Sequence, residues 1–546
     1  MIKDGLKQQY VRLNLGSGND HREGWINVDS IGDLSPDLIA DLSKKFPFLD
    51  NYADEILASD ILEHFIKEKG EMFLRECHRV LKPNGVLTIR THNLFQIFEQ
   101  FKNDPQVLIH FIYGNTSDTS DFGAHKYAYT KKSITKLLKI LGFEDINIQN
   151  ETTNFLITAK KGLIREKKLN IGIIQQSPDI GGAETYMALL IKHIGNKAHI
   201  FFATDNNRFN NMVKKNVLKD YIIPFRLDII GNKKGLIKSL ILFLPTTAYY
   251  IYLLHAFKKE KIDVILMSGF SEKMLVTFLS LFFNIPVVWI EYGPLETIFS
   301  KNFMIPKIVY RLMNKITKSI IVPANNTKLD LIKNGKVSLD KIRIIPCGVE
   351  IINTNIKKEN LAIDRKKNFI IGNVSRLALE KGQQYLIMAM KAVKKEIPNA
   401  KLFLIGDGPD KKRLEAMVKK EKLEESVILA GFVKSPDVFY SKMDVFIFPT
   451  VWELEGFGLV MAEAMAKKIP VIASNIGPIP EILSHDSGIL VDPASPKSIS
   501  NSIIKLYKNK NLRKNIATSG YERAKKKYNI TTITTKYLSV LNESTL

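Results

Sequence analysis

Cysteine is nearly absent from the chain. Cys77 and Cys347 are the only two in 546 residues, which excludes a disulfide framework and paired-cysteine zinc sites and suits a reducing compartment. No uninterrupted apolar run reaches membrane-spanning length. The longest candidate, SLILFLPTTAYYIYLLHAF at 239–257, is broken by Pro245, Thr246, Thr247 and His255, and a pair of buried or surface-lying helices is expected there. The opening MIKDGLKQQY lacks the apolar stretch of a secretory leader, so no signal peptide is expected. Neither a helix-turn-helix nor a stacked-aromatic RNA motif is present, so nucleic acid is not an expected partner. Acidic residues are in deficit: 56 Asp+Glu against 79 Lys+Arg, a net charge of +23.

That charge is unevenly placed. Residues 1–162 hold 20 Lys+Arg against 22 Asp+Glu, so the later residues carry the whole surplus, 59 against 34. The change falls at the charged stretch Lys160, Lys161, Arg165, Lys167, Lys168, after which LNIGIIQQS begins a new apolar strand. At roughly 100–200 residues per domain, about three domains are expected. The divisions read from the sequence are 1–162, 163–350 and 351–546, all of α/β class.

In the first segment, a short strand ending at Leu15 leads into Gly16-Ser17-Gly18. A glycine turn at a strand's carboxyl edge lets a ligand approach the backbone closely. Trp25–Asp29 reads as a second strand ending in an acid, a position suited to holding ribose hydroxyls. Then come Asp41-Leu42, FPFLD, a strand candidate over 53–60, the Leu62-Glu63-His64 triplet and RVLKPNGVLTI, with a turn expected at Asn84-Gly85. In this order the set resembles a class I S-adenosylmethionine-dependent methyltransferase over about residues 10–160. The string HKYAYTKKSITKLLKILGF resembles that family's late helix and closing turn. The resemblance implies a Rossmann-like fold and S-adenosylmethionine as cofactor. Gly16 and Gly18 would border its methionine part, Asp29 the ribose and Asp41 the adenine. Glu63 and His64 would stand at the substrate mouth, His64 as general base or, alternatively, as a packing and capping residue.

From 169 onward two α/β halves follow. The first has a strand over 169–174 and Gly181-Gly182 before a helix, a ready phosphate site. The second has a strand at 370–374, then Arg376 and Lys381 on a loop before a helix starting near Gln383; a guanidinium fork and a point charge suit a diphosphate. Further on, Glu455 and Glu463 stand eight apart around Gly456-Phe457-Gly458-Leu459. That spacing lets a loop and the following helix aim both carboxylates into one cleft.

The E-x7-E pattern with GFGL inside it, together with SRLALEKG, GDGP, DVFIFPT and PEIL in order, resembles the GT-B retaining glycosyltransferases of family four. The resemblance covers 169–540. It implies a nucleoside diphosphate sugar as donor, gripped by Arg376 and Lys381, with Gly181 and Gly182 facing the same diphosphate. Glu455 would contact the sugar hydroxyls and Glu463 the donor ribose, while Phe457, Gly458 and Leu459 would supply backbone N–H groups. No Asp-x-Asp stands at a strand end here, so no metal is expected. The family usually carries a His after the strand matching Val287–Ile290. Here the sequence is WIEYGPLE, with Tyr292 in that place and Glu291 beside it as a partial substitute.

A bifunctional enzyme of surface polysaccharide or glycolipid synthesis is therefore expected, with a glycan or lipid-linked acceptor. Residues 187–260 hold 12 Lys+Arg against 4 Asp+Glu, next to the apolar run. That suits an anionic membrane surface and a peripheral place on the cytoplasmic face. The alternatives are a single working glycosyltransferase with an inert cofactor-binding appendage, and a membrane-docked scaffold without turnover.

Overall fold

The computed structural model describes residues 10–113, 125–162, 168–227, 233–299, 305–351, 367–433 and 435–545. Part of the expected linker, 163–167, lies outside them. The chain divides into two compact units, residues 1–167 and 168–545.

The first unit is built on seven strands: β1 (Arg12–Leu15), β2 (Ile26–Asp29), β3 (Leu38–Ile39), β4 (Ala53–Ser59), β5 (Leu81–His92), β6 (Phe143–Asn150) and β7 (Asn154–Lys161). Their order is β3-β2-β1-β4-β5-β7-β6, parallel except for β7, which runs antiparallel to both β5 and β6. The turn expected at Asn84-Gly85 lies inside β5 instead. The register against β4 slips there between Ala53 and Glu55, and Asn84 takes a φ of +64°, so the segment bulges without leaving the sheet. Leu13, Leu15, Ile56, Ala58, Leu87 and Ile89 share one core with Phe73, Leu74 and Cys77 of the helix Lys67–Val80.

The second unit holds two parallel sheets. The first comprises β8 (Asn170–Ile174), β9 (His199–Thr204), β10 (Lys219–Ile222), β11 (Val264–Met267), β12 (Val287–Ile290), β13 (Ser319–Val322) and β14 (Ile342–Ile344), in the order β10-β9-β8-β11-β12-β13-β14. The second comprises β15 (Phe369–Val374), β16 (Ala400–Ile405), β17 (Val427–Gly431), β18 (Val445–Phe448), β19 (Val471–Ser474) and β20 (Ile489–Val491), in the order β17-β16-β15-β18-β19-β20.

Strands such as VILM and VVWI are apolar at every position because both faces are covered. Along β11, Val264 and Leu266 enter one core while Ile265 and Met267 enter the other. Along β12, Val288 and Ile290 alternate in the same way with Val287 and Trp289. The final helix, Ile530–Ser544, packs back onto the helix Gly182–Ile194 and β12 of the first half.

The expected helix pair at 239–257 is one helix, Lys233–Lys259, with Pro245 inside it. Proline removes one backbone donor there, and the Thr247 hydroxyl donates to Phe243 O at 2.7 Å. The buried Tyr250, Leu253, Leu254 and Phe257 hold the helix to the sheet, so packing outweighs the local break. Among the described residues no helix is long and apolar enough to cross a membrane.

Candidate active sites

In each of the three sheets the first strand (β1, β8 or β15) has the second strand on one side and the fourth on the other. The strand order reverses there, and the crevice at the carboxyl ends of such strands is where open α/β sheets take ligands. The loops carrying Gly16–Gly18, Gly181-Gly182 and Arg376–Lys381 all leave these strands.

In the first unit, Gly16 N and Ser17 N both donate to Val28 O, at 2.8 and 3.1 Å. The Asp29 carboxylate organises the turn: Gly18 N donates to Oδ2 at 2.8 Å and Ile31 N to Oδ1 at 3.0 Å. Each oxygen retains a lone pair for a ribose hydroxyl. Gly18 has open space beside it, with nothing within 4 Å of a Cβ built there, so a cofactor can come close to the backbone. Asp41 sits beyond β3, ion-paired with Lys44 at 2.9 Å; that bond, with Ser43, holds its carboxyl down to about 2. These residues fit a nucleoside cofactor of the S-adenosylmethionine type. Asp29 and the glycine turn would hold it, and it would supply an electrophilic methyl group.

Beyond the carboxyl end of β4, Glu63 and His64 end a single 3-10 turn, Leu62–His64. Glu63 is buried, and desolvation pushes its carboxyl up to about 7. Two more histidines join them. The His64 and His125 rings are 5.0 Å apart and those of His92 and His125 4.6 Å. Burial holds His92 down to about 4. Sequence spacing gave no sign of this cluster, because His92 and His125 lie far along the chain from Glu63.

In the second unit, Lys381 Nζ and Glu455 Oε2 form an ion pair of 2.7 Å, their side chains 15% and 10% exposed. The ammonium also lies over the rings of Trp452 and Phe448, at 5.3 and 5.7 Å. Thr450 Oγ1 is 3.4 Å from the same carboxylate oxygen. Arg376 stays on the open side, 65% exposed and paired with Glu380 at 2.6 Å. Glu463 has a different partner: Tyr440 donates its hydroxyl to Oε2 at 2.9 Å, and burial raises the carboxyl above its ordinary value. Gly458 caps the helix Leu459–Ala466 at a φ of +74°, so the amides of the GFGL turn lie at a helix N-terminus. The Phe457 ring packs edge-on against Tyr528 at 5.4 Å. In the other half Gly181 N donates to Glu184 Oε2 at 2.8 Å, and Gly182 opens the helix with open space where a Cβ would stand.

The halves touch where the sequence put its substitute residues. A Cβ at Gly456 would lie 1.8 Å from Tyr292 O, so only glycine lets the two loops meet. The alternation of β12 continues past its end and separates the pair. Glu291 follows Trp289 into one core; Tyr292 follows Ile290 toward the other. Glu291 is therefore not available as a substitute base. Its Oε1 is bound by Lys273 Nζ at 2.5 Å and by the Tyr310 hydroxyl at 3.1 Å, deep in the sheet–helix core. Tyr292 stands edge-on to Tyr186 at 6.0 Å. Its hydroxyl is buried without a hydrogen-bond partner among the described residues, and desolvation raises it far above the ordinary phenol value, so it stays protonated. A contact without sequence signal joins the halves too: Asn325 donates its backbone and side-chain N–H groups to Glu481, at 3.0 and 3.1 Å.

Comparison with known proteins gives three family matches along the chain. The family described as Methyltransferase domain matches residues 29–89, Glycosyltransferase Family 4 matches 180–351, and Glycosyl transferases group 1 matches 353–523. The capsular polysaccharide biosynthesis glycosyltransferase CapM of Staphylococcus aureus is 27% identical over 335 residues, 56% of this chain and 80% of that protein. The alpha-monoglucosyldiacylglycerol synthase of Streptococcus pneumoniae is 29% identical over 235 residues, 40% of this chain and 52% of that protein. The crystal structure of Anabaena Alr3699/HepE in complex with UDP superimposes with a TM-score of 0.56 at 20% identity, covering 68% of this chain and 98% of that one. The likeness is of fold.

Proposed function

The chain belongs to the group 1, family four glycosyltransferases of GT-B fold, behind a methyltransferase domain, and from that premise we propose that it transfers a sugar from a nucleoside diphosphate donor with retention of configuration. The observation that carries this reading is the Lys381–Glu455 pair, set beside the GFGL helix N-terminus. As the bond from the anomeric carbon to the diphosphate breaks, negative charge grows on the leaving oxygens. Lys381, Arg376 and the helix dipole stabilise that charge. The acceptor oxygen attacks from the same face, and its proton passes to the departing diphosphate. Glu455 holds the sugar hydroxyls and Glu463 the ribose. Gly181 and Gly182 approach the diphosphate from the opposite half, and Tyr292 shapes the floor between them. The acceptor is a glycan or a lipid-linked acceptor, in keeping with the names of the relatives.

The first domain, in this reading, transfers a methyl group from S-adenosylmethionine to an oxygen or nitrogen of a related substrate, with Gly16, Gly18, Asp29 and Asp41 around the cofactor and His64 near the acceptor. Isothermal titration of the full chain with S-adenosylmethionine tests it. Wild type should release heat with a 1:1 endpoint, and Asp29→Ala should bind at least about tenfold more weakly, the loss of one or two charge-assisted hydrogen bonds. No heat with wild type, or unchanged heat with Asp29→Ala, refutes the methyltransferase reading.

Exposed apolar residues support peripheral attachment to an anionic membrane. Leu244 and Ile241 on the helix Lys233–Lys259, Phe282 and Leu281 on Phe270–Phe283, and Ile308 on Ile305–Met313 are exposed, Leu244 at 76% and Phe282 at 70%. The middle helix packs against the other two, and Lys258, Lys259, Lys307 and Arg311 lie on the same elements. Apolar side chains next to cations suit an anionic interface. Vesicles containing anionic lipid should carry the chain upward in flotation at low salt, release it at high salt, and fail to carry Leu244→Glu/Phe282→Glu. Absence from those vesicles at low salt rejects this attachment.

A further inference from the structure

The cluster around Glu63 in the first unit carries more than a general base. We infer that Glu63, His64 and His125 form a binding site for a divalent transition-metal ion of the Zn²⁺ class. One ligand atom from each of these side chains lies within 4.8 Å of the others, and Asp60, Glu63 and His92 form a second such set sharing Glu63. The fold holds the groups together by backbone bonds. Lys126 N and Tyr127 N both donate to Glu63 O, at 2.8 and 3.3 Å, which ties the segment carrying His125 to the Glu63-His64 turn. His92 arrives from β5, whose pairing with β4 sets Arg90 opposite Ser59.

Two features distinguish this set from a chance gathering of polar groups. Glu63 is only 2% exposed. Its Oε2 accepts the Thr91 hydroxyl at 2.9 Å, while Oε1 is buried with no hydrogen-bond partner among the described residues; His92 Nε2 is 3.7 Å away. A buried carboxylate oxygen left in this way is destabilising, and a bound cation relieves it. His125 Nδ1 lies 2.9 Å from Phe111 O. With that nitrogen donating, Nε2 keeps its lone pair, the arrangement in which a metal-bound imidazole is oriented by a carbonyl behind it.

Two imidazoles with one carboxylate favour zinc and its neighbours over magnesium or calcium, which take oxygen donors. Three protein ligands leave coordination positions for water or for an acceptor hydroxyl, whose acidity the ion would raise. That last role rests on the methyltransferase reading; metal binding does not.

The test is Zn²⁺ titration of the chelator-treated full chain against a chromophoric competitor, with Co²⁺ substitution as a spectroscopic check. Wild type should hold one equivalent through gel filtration and give a visible Co²⁺ spectrum. Glu63→Gln and His125→Gln should each lose about 100-fold or more in affinity, while His21→Gln, on an exposed loop, should match wild type. Circular dichroism and S-adenosylmethionine titration of His125→Gln separate ligand loss from unfolding. Asp29→Ala should keep its zinc, so failure of cofactor binding and failure of the metal site are told apart. A wild-type chain that retains no zinc, or His125→Gln with unchanged affinity, overturns the site.

Discussion

Replacing Glu455 by alanine should cut sugar transfer by about 10²–10³-fold, the loss seen when one preorganised polar contact to a developing charge is removed. The substitution acts twice. It deletes the carboxylate proposed to hold the sugar, and it releases Lys381, whose ammonium now sits 2.7 Å from Glu455 Oε2. Freed from its partner, Lys381 still lies over the rings of Trp452 and Phe448, so its charge stays at the site. Affinity for the nucleoside diphosphate should therefore hold within several-fold while turnover collapses, a fall in kcat rather than a rise in KM. Steady-state rates with a nucleotide sugar and acceptor, measured beside the binding constant of the free diphosphate, check this. A variant that retains wild-type kcat removes Glu455 from the chemistry.

The second large effect concerns stability. Lys273 and Glu291 are 1% and 6% exposed at the side chain and 2.5 Å apart. Among the described residues, Lys273→Met leaves the buried Glu291 carboxylate with only the Tyr310 hydroxyl as a side-chain donor. Breaking such a pair from one side costs about 3–5 kcal/mol. Thermal unfolding should move down by on the order of 10 °C, and activity should fall with it, because Glu291 adjoins Tyr292, whose carbonyl packs on Gly456. Lys273→Met/Glu291→Leu should recover most of the loss, since an apolar pair of similar volume often replaces a buried ion pair without penalty. Lys273→Met as stable as wild type in a melting curve excludes a structural role for the pair.

Much of this architecture can be read from short apolar runs. VILM, VVWI and VFIF are too short for helices and apolar throughout, the pattern of strands covered on both faces, and all three are central strands of parallel sheets. Strands β6 and β7 gave less away. FEDINIQN is largely polar because β6 is an edge strand of the sheet, and its place comes from pairing with β7 rather than from its own pattern. The single helix through Pro245 was hidden for a related reason: a local breaker is overridden by the core beneath it, which no window of sequence displays. At the sites, motifs placed the loops but not the partners. Lys381 and Glu455 meet across 74 residues, Tyr440 reaches Glu463 across 23, and Asn325 reaches Glu481 across 156. Glu291 looked like a base beside Tyr292 in the sequence; strand alternation, a property of the sheet, turned it the other way.

The central claim is that the second unit binds a nucleoside diphosphate sugar beside the Lys381–Glu455 pair. Calorimetric titration of the full chain with UDP, the nucleotide bound in the superimposed Anabaena structure, and with other nucleoside diphosphates tests it most directly. One of them should bind at one site per chain, bind at least about tenfold more weakly to Lys381→Ala, and bind within several-fold of wild type to Glu455→Ala. Saturable binding to none of them, or binding that Lys381→Ala leaves unchanged, contradicts the account.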